Sequence, residues 1–282
     1  MVALLRTELV KAVWRVRTLV VLAVLIGLPL VIVGAIRDRS RRPPPSDGSV
    51  GLFRLGYESG LLVPAGVLSV MGAFLLVVIA GMLAGDAVAG DATTGNLRYL
   101  LLRPVSRTKL LVAKATVAGL LTWACVALVT VVALVAGVAS FGGGGVRVPG
   151  RPPLDGNPAI GPYLLSERAI LLRVAFAAAY VALGLTALLA MGVFFSVISD
   201  SASGAIGAAI ASYIVSQILV AIPELGRIRY ALPTYYTGYW KRIFLWNEFP
   251  DELWVGMAAQ AAYLAVFGTA AIVWFRRKDI RC

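Results

Sequence analysis

The sequence has no histidine, only two cysteines, and few charges: 14% of its 282 residues are Asp, Glu, Lys or Arg. Without histidine there is no His-based metal site and no Ser-His nucleophile pair. Cys125 falls inside a long apolar run and Cys282 stands at the far end, so they form neither a disulfide framework nor a metal motif. The dipeptide Gly-Lys never occurs, which removes the P-loop that cradles nucleotide phosphates. Gly56-Tyr-Glu-Ser-Gly60 has its serine one place too late for a nucleophile elbow. The interiors of the apolar runs lack Asp, Glu and Lys, and their polar residues are mild, such as Ser212, Ser216, Gln217 and Gln260. Proton- and sodium-coupled transporters need ionisable or broken-helix sites at that depth, so ion coupling is disfavoured. No chemistry and no energy source is visible within the chain, and active transport by it would draw on an external motor.

What is abundant is apolar side chain: 60% of residues are hydrophobic and the mean hydropathy is +0.87. A water-soluble fold of this size could not hide so much apolar surface. Runs at 18–36, 61–85, 115–139, 174–198, 204–222 and 254–275 are each near the roughly 20 residues that cross a bilayer as a helix. The expectation is an all-α integral membrane protein with six transmembrane helices, forming one domain over 1–282. The short break from Ile198 to Ser203 makes spans four and five a tight helical hairpin. The net charge of +12 would suggest nucleic acid in a soluble protein; here basic residues flank spans, and no nucleic-acid partner is expected. Arg far outnumbers Lys, and Ala, Val and Gly are plentiful, as in a bacterium with GC-rich codons.

Residues 1–17 place Val2, Leu5, Leu9, Val13 and Val16 at helical spacing among charges. They read as an amphipathic helix on the membrane surface rather than a cleavable signal peptide. Raw Lys/Arg counts tie between the two sides. The dense clusters lie in the N-terminal segment, at 98–114 and at 276–281, in short segments close to span ends, and place both termini in the cytoplasm. The Pro- and Gly-rich stretches 37–60 and 140–162 then become flexible outer loops. Residues 223–253 differ, carrying Tyr230, Tyr235, Tyr236, Tyr239, Trp240, Phe244, Trp246 and Phe249 among charges. Amphipathic aromatics belong at the bilayer interface, so short helices dipping into or lying on the outer leaflet are expected there.

Residues 85–114 form a polar, basic stretch between the second and third runs. Asp91, Thr93 and Thr94 are good helix N-caps, and Gly95 loosens the entry. Leu97, Leu100 and Leu101 then fall at i, i+3, i+4, opposite Arg98. Pro104 ends this segment at Arg103, and Ser106 is placed to cap a second helix through Arg107, Lys109, Leu110, Leu111 and Lys114 into the third span. The result is a compact knuckle. Its leucines suit a groove on a partner, and Arg98, Arg103 and Arg107 suit acidic groups or lipid phosphates.

The string from Gly95 through Asn96, Leu97, Arg98, Leu100, Leu101, Pro104, Ser106 and Arg107 to Lys114 resembles a pattern of ATP-binding-cassette (ABC) exporters. That pattern, G-T-L-x-x-L-L-x-x-P-V-S-R…L-L…K, marks the permease subunits of the type-2 class. Asn96 stands where the family usually has Thr, and Asp86 and Asp91 match its acidic residue before the glycine. The terminal Phe-Arg-Arg-Lys-Asp-Ile at 275–280 also matches. The resemblance implies that residues 86–110 hold a cytoplasmic coupling helix, with Asp86, Asp91, Gly95, Leu97, Arg98, Leu100, Leu101, Pro104, Ser106 and Arg107 meeting the partner ATPase. It implies outer re-entrant helices within 223–253, and a second permease copy as dimer partner. ATP and Mg would bind the ATPase; this chain would hold no cofactor, metal or catalytic residue of its own.

In the fifth run, Ser203, Gly207 and Ala211 form a small-xxx-small face that allows close helix approach, either within the chain or to a second copy. The resemblance suggests that the second and fifth spans line the path, making Ser212, Ser216 and Gln217 candidate path residues; helix–helix hydrogen bonding is the plainer reading. The functional expectation is the membrane subunit of an ATP-driven exporter in a bacterial inner membrane. Its cargo would be hydrophobic or amphipathic: a drug, antibiotic, peptide or lipid. The alternative is a non-transporting membrane anchor or sensor that recruits an ATPase for signalling or envelope assembly.

Overall fold

A computed structural model describes residues 16–39, 52, 56, 58–93, 106–148, 161, 163–199, 201–245 and 251–278. The interfacial helix expected at 1–17 therefore lies almost wholly outside the described residues, as do 94–105. The described chain is overwhelmingly helical, and five of its helices are long and apolar enough to cross a membrane. This is the architecture of an integral membrane protein. No membrane is needed to see why: large apolar side chains such as Leu19, Val31, Val135, Leu172 and Val266 stand exposed on the helices. In water such surface would be untenable; in lipid it is the ordinary outer face.

Helix α1 (Val16–Arg39) carries apolar residues all round and packs on helix α4 (Arg107–Phe141). The run expected to be one straight span at 61–85 is broken. A 3-10 turn (Gly60–Leu62) leads into α2 (Val63–Met71), and after a bend of 57° the chain resumes as α3 (Leu75–Thr93). The break falls at Gly72, whose missing side chain lowers the cost of leaving the helix. Pro64 sits in the first turn of α2, where its absent N–H and fixed φ do no harm. The start of this unit is pinned to the far end of α4. A Cβ on Gly60 would lie 2.2 Å from the Gly137 carbonyl oxygen, so only glycine lets the two backbones meet. The Ser59 hydroxyl donates to the Gly144 carbonyl at 3.0 Å across the same junction.

Helix α5 (Glu167–Ile198) is the core helix, packed against α3, α4, α6 (Ala202–Val220) and α8 (Asp251–Arg277). The α5–α6 hairpin is as tight as expected, with Ser201 capping α6 by accepting from the Gly204 amide at 3.0 Å. Small residues let α3, α5 and α6 approach closely. A Cβ on Gly85 would lie 2.6 Å from the Ile206 backbone nitrogen, and one on Gly192 would lie 2.5 Å from the Ala84 Cβ. Close backbone approach of this kind is what holds apolar helices together where lipid supplies no hydrophobic drive.

Two parts of the polar connections depart from expectation. The loop at 140–162 is not wholly irregular: β1 (Val146–Val148) pairs antiparallel with β2 (Tyr163–Leu165), placing Val146 opposite Leu165. Alternation explains it, since Val146 and Val148 are buried while Arg147 points out. The aromatic segment folds as 3-10 helices Pro223–Ala231 and Tyr235–Lys241 followed by α7 (Arg242–Leu245). Its short helices are as expected, but Trp240, Ile243 and Phe244 are fully buried against Leu253 rather than set at a lipid surface. Tyr230 and Ile228 keep the exposed position.

Candidate functional site

Four helix ends meet at one end of the bundle: the C-termini of α3, α5 and α8 and the N-terminus of α4. Residues 94–105, outside the described residues, connect α3 to α4 at this end. Ser106 caps α4, accepting from the Lys109 amide at 3.4 Å, as its position before the helix predicts. Arg107 donates to the Lys278 carbonyl at 2.9 Å, and Arg276 Nε donates to the Thr108 hydroxyl at 2.9 Å. Lys278 in turn donates through Nζ to the Val197 carbonyl at 2.8 Å. That ammonium satisfies a last-turn carbonyl of α5 and meets the negative end of its dipole. The tail of α8 is thus tied to α4 on one side and to α5 on the other.

The link from this end into the bundle is made by two buried polar contacts. Lys114 pairs with Asp91, joining the last turn of α3 to the second turn of α4, with side-chain exposures of only 6% and 14%. Ser196, fully buried on α5, donates to the Gly85 carbonyl at 2.7 Å and accepts from the Ala89 amide at 2.9 Å and the Val88 amide at 3.1 Å. A hydroxyl from α5 is therefore built into the backbone ladder of α3. Beneath these contacts a separate apolar cluster, including Val88, Leu111, Val193, Val197 and Phe275, packs the same four ends.

Asp91 and Thr93 are not helix N-caps. Both lie in the last turn of α3, where Thr93 donates to the Gly90 carbonyl at 3.0 Å. The helix runs past its expected end at Gly85 because Val88 and Ala89 are buried and Ser196 bonds their amides. Of the residues assigned to ATPase contact, Asp86 and Asp91 lie on α3, and Ser106 and Arg107 open α4. Asp91 faces Lys114 inside the protein, while Arg107 is exposed. Gly95, Leu97, Arg98, Leu100, Leu101 and Pro104 lie outside the described residues. Arg107, Lys109, Arg276 and Arg277 make the exposed surface of this end strongly basic.

The small-xxx-small face of α6 is now located. Ser203, Gly207 and Ala211 are all exposed, and a Cβ on Gly207 would meet nothing within 4 Å. The face that packs within the chain is the other one, through Ala205 and Ala209. Ser212 donates to the Ala209 carbonyl of its own helix at 2.8 Å. Ser216, buried, shares a 2.7 Å hydrogen bond with Thr234 and ties α6 to the aromatic segment. Gln217 donates to the Tyr213 hydroxyl at 3.1 Å and lines a cavity between α2, α5, α6, α8 and that segment.

Ser196 and Lys278 carry this site without having been singled out in the sequence. Ser196 is one mild polar residue in a 32-residue apolar helix, and Lys278 one member of a basic flank. The chain belongs to the family described as protein of unknown function (DUF2705), which matches it over residues 56–281. No curated protein matches the chain.

Proposed function

We propose that this chain is the membrane-spanning subunit of an ATP-driven exporter, working with a separate cytoplasmic ABC ATPase and a second permease copy. Counting the bent α2–α3 pair as one span gives six, and both termini then lie on one side. Lys/Arg density supports a cytoplasmic side for both, and the Arg-, Ala-, Val- and Gly-rich composition supports a bacterial inner membrane.

The observation that carries the reading is the convergence of α3, α4, α5 and α8 around the 94–105 connection. The Lys114–Asp91 pair and the Ser196 contacts stiffen it. A push on that connection would tilt α3 and α4 together and pass into α5 as a rigid unit. The segment 86–110 is the natural coupling element, with basic Arg107 and Lys109 facing a partner or lipid phosphates and Leu97, Leu100 and Leu101 filling its groove. The exposed Ser203–Gly207–Ala211 face supports docking of a second copy, since among the described residues nothing covers it. The aromatic segment would re-enter from the outer side, and the apolar helices suit a hydrophobic or amphipathic cargo.

The test is whether a P-loop ATPase co-purifies with the chain from its own host. Leu100→Asp with Leu101→Asp, or Arg107→Glu, is expected to abolish cargo-stimulated ATP hydrolysis while the membrane subunit still folds. Unchanged coupling in both variants overturns the coupling role. An ATPase that binds but never responds to any cargo favours the recruiting anchor or sensor instead.

A further inference from the structure

The bend between α2 and α3 opens a cavity of about 290 Å³, walled by Gly72 and Ala73 at the bend, by α5 and α6, by the aromatic segment and by Gln260 of α8. That size is at the lower end of small-molecule pockets, roughly 300 Å³ upward. It fits a head group with a few carbons, not a whole diacyl lipid. Most of the polar groups around it are already engaged with protein. Tyr180 donates to the Tyr236 carbonyl at 2.8 Å, Ser69 to the Gly66 carbonyl at 2.7 Å, and Thr237 to the Thr234 carbonyl at 2.7 Å.

Two groups differ. Gln260 is 2% exposed, and neither its amide nitrogen nor its oxygen has a hydrogen-bond partner. Its Nε2 lies against Gly184, 3.2 Å from where a Cβ would stand there. A buried carboxamide with both ends unsatisfied costs stability unless something in the cavity answers it. Lys241 also lines the cavity, and burial pushes its ammonium below the usual lysine range. Among the described residues, no Asp or Glu lines the cavity. The unanswered capacity is therefore donor-rich and positive, with one amide oxygen beside it. Water would answer Gln260, whereas an anion would answer both Gln260 and the Lys241 ammonium.

We propose that this cavity binds the anionic, acceptor-rich head of a small amphiphile, with Lys241 and Gln260 as its polar anchors. The apolar remainder would lie along Leu68, Val181 and Trp240. The head is defined by its chemistry, a phosphate or carboxylate, and its source is either a membrane lipid or a free anion. The inference holds whether or not the chain works with an ATPase, and its test uses the full chain alone.

Dodecyl phosphate is titrated into the chain in neutral maltoside detergent, with dodecyltrimethylammonium as the cationic control. Saturable binding of the phosphate and at least about tenfold weaker binding of the cation are expected. Lys241→Gln and Gln260→Leu should each weaken phosphate binding about tenfold, in line with loss of a charge-assisted or buried hydrogen bond. Lys241→Arg should restore it, which separates a lost anchor from a damaged fold. Competition by inorganic phosphate assigns the site to free anions, whereas displacement by phosphatidylglycerol alone assigns it to lipid. No saturable binding of dodecyl phosphate, or equal binding by wild type, Lys241→Gln and Gln260→Leu, overturns the proposal.

Discussion

Lys114 is 7% exposed on a helix otherwise built for lipid and apolar neighbours, and its charge is tolerable there because Asp91 faces it. A buried pair of this kind is weak evidence for stability, because desolvation offsets most of the attraction. Removing one partner is different, since the other charge stays largely buried and loses an opposite charge beside it. Lys114→Met is expected to lower stability by about 3 kcal/mol, and adding Asp91→Asn should recover much of that loss. Reversible unfolding of both variants in detergent measures the coupling; additive losses would mean that the two charges do not interact. The sequence showed both residues but not the pairing. They stand 23 positions apart on separate helices, so whether they meet depends on how α3 and α4 pack.

At the scale of elements, α6 shows why small residues alone do not identify a packing face. Ser203, Gly204, Ala205, Gly207, Ala208, Ala209 and Ala211 put small side chains on every side of it. Which side packs is decided by the partners: Gly81 and Gly85 on α3 and Gly192 on α5 offer the matching flat surface to Ile206, Ala209 and Ile210. Ala209→Leu should overpack this seam and cost about 1–3 kcal/mol. Gly207→Leu, pointing into open space, should leave the melting temperature of a single copy unchanged. If a second copy docks on that face, Gly207→Leu will abolish the dimer seen by light scattering in detergent, while Ala209→Leu will not do so selectively. The bend at Gly72 belongs to this scale too. Hydropathy is continuous from Leu61 to Gly85, so the break left no trace in the pattern.

At the scale of the whole molecule, the bent pair sets the topology. If α2 and α3 together cross once, Asp38 at the end of α1 and Lys109 at the start of α4 lie on opposite sides. With Cys125 and Cys282 replaced by serine, Lys109→Cys is expected to react with an impermeant maleimide only after the inner face is opened. Asp38→Cys should react in intact cells. Labelling of both from the same side would mean an even number of crossings between them and make α2–α3 a re-entrant hairpin. The same bend also shapes the cavity above it, so one glycine-centred break bears on both topology and ligand space.

Composition alone was enough to make this a helical membrane protein, because no folded arrangement in water could cover so many apolar side chains. Local sequence was enough to set the ends of the helices where a cap acts within a few residues, as Ser106 and Ser201 do. Tertiary structure decided the rest. It chose the packed face of α6, extended α3 to Thr93, drew Trp240 and Phe244 into the core, and left Gln260 buried without a partner. The physical reason is one of range. Hydropathy and capping act along the chain, whereas a close helix seam, a buried ion pair or an unanswered amide depends on residues brought together from distant segments.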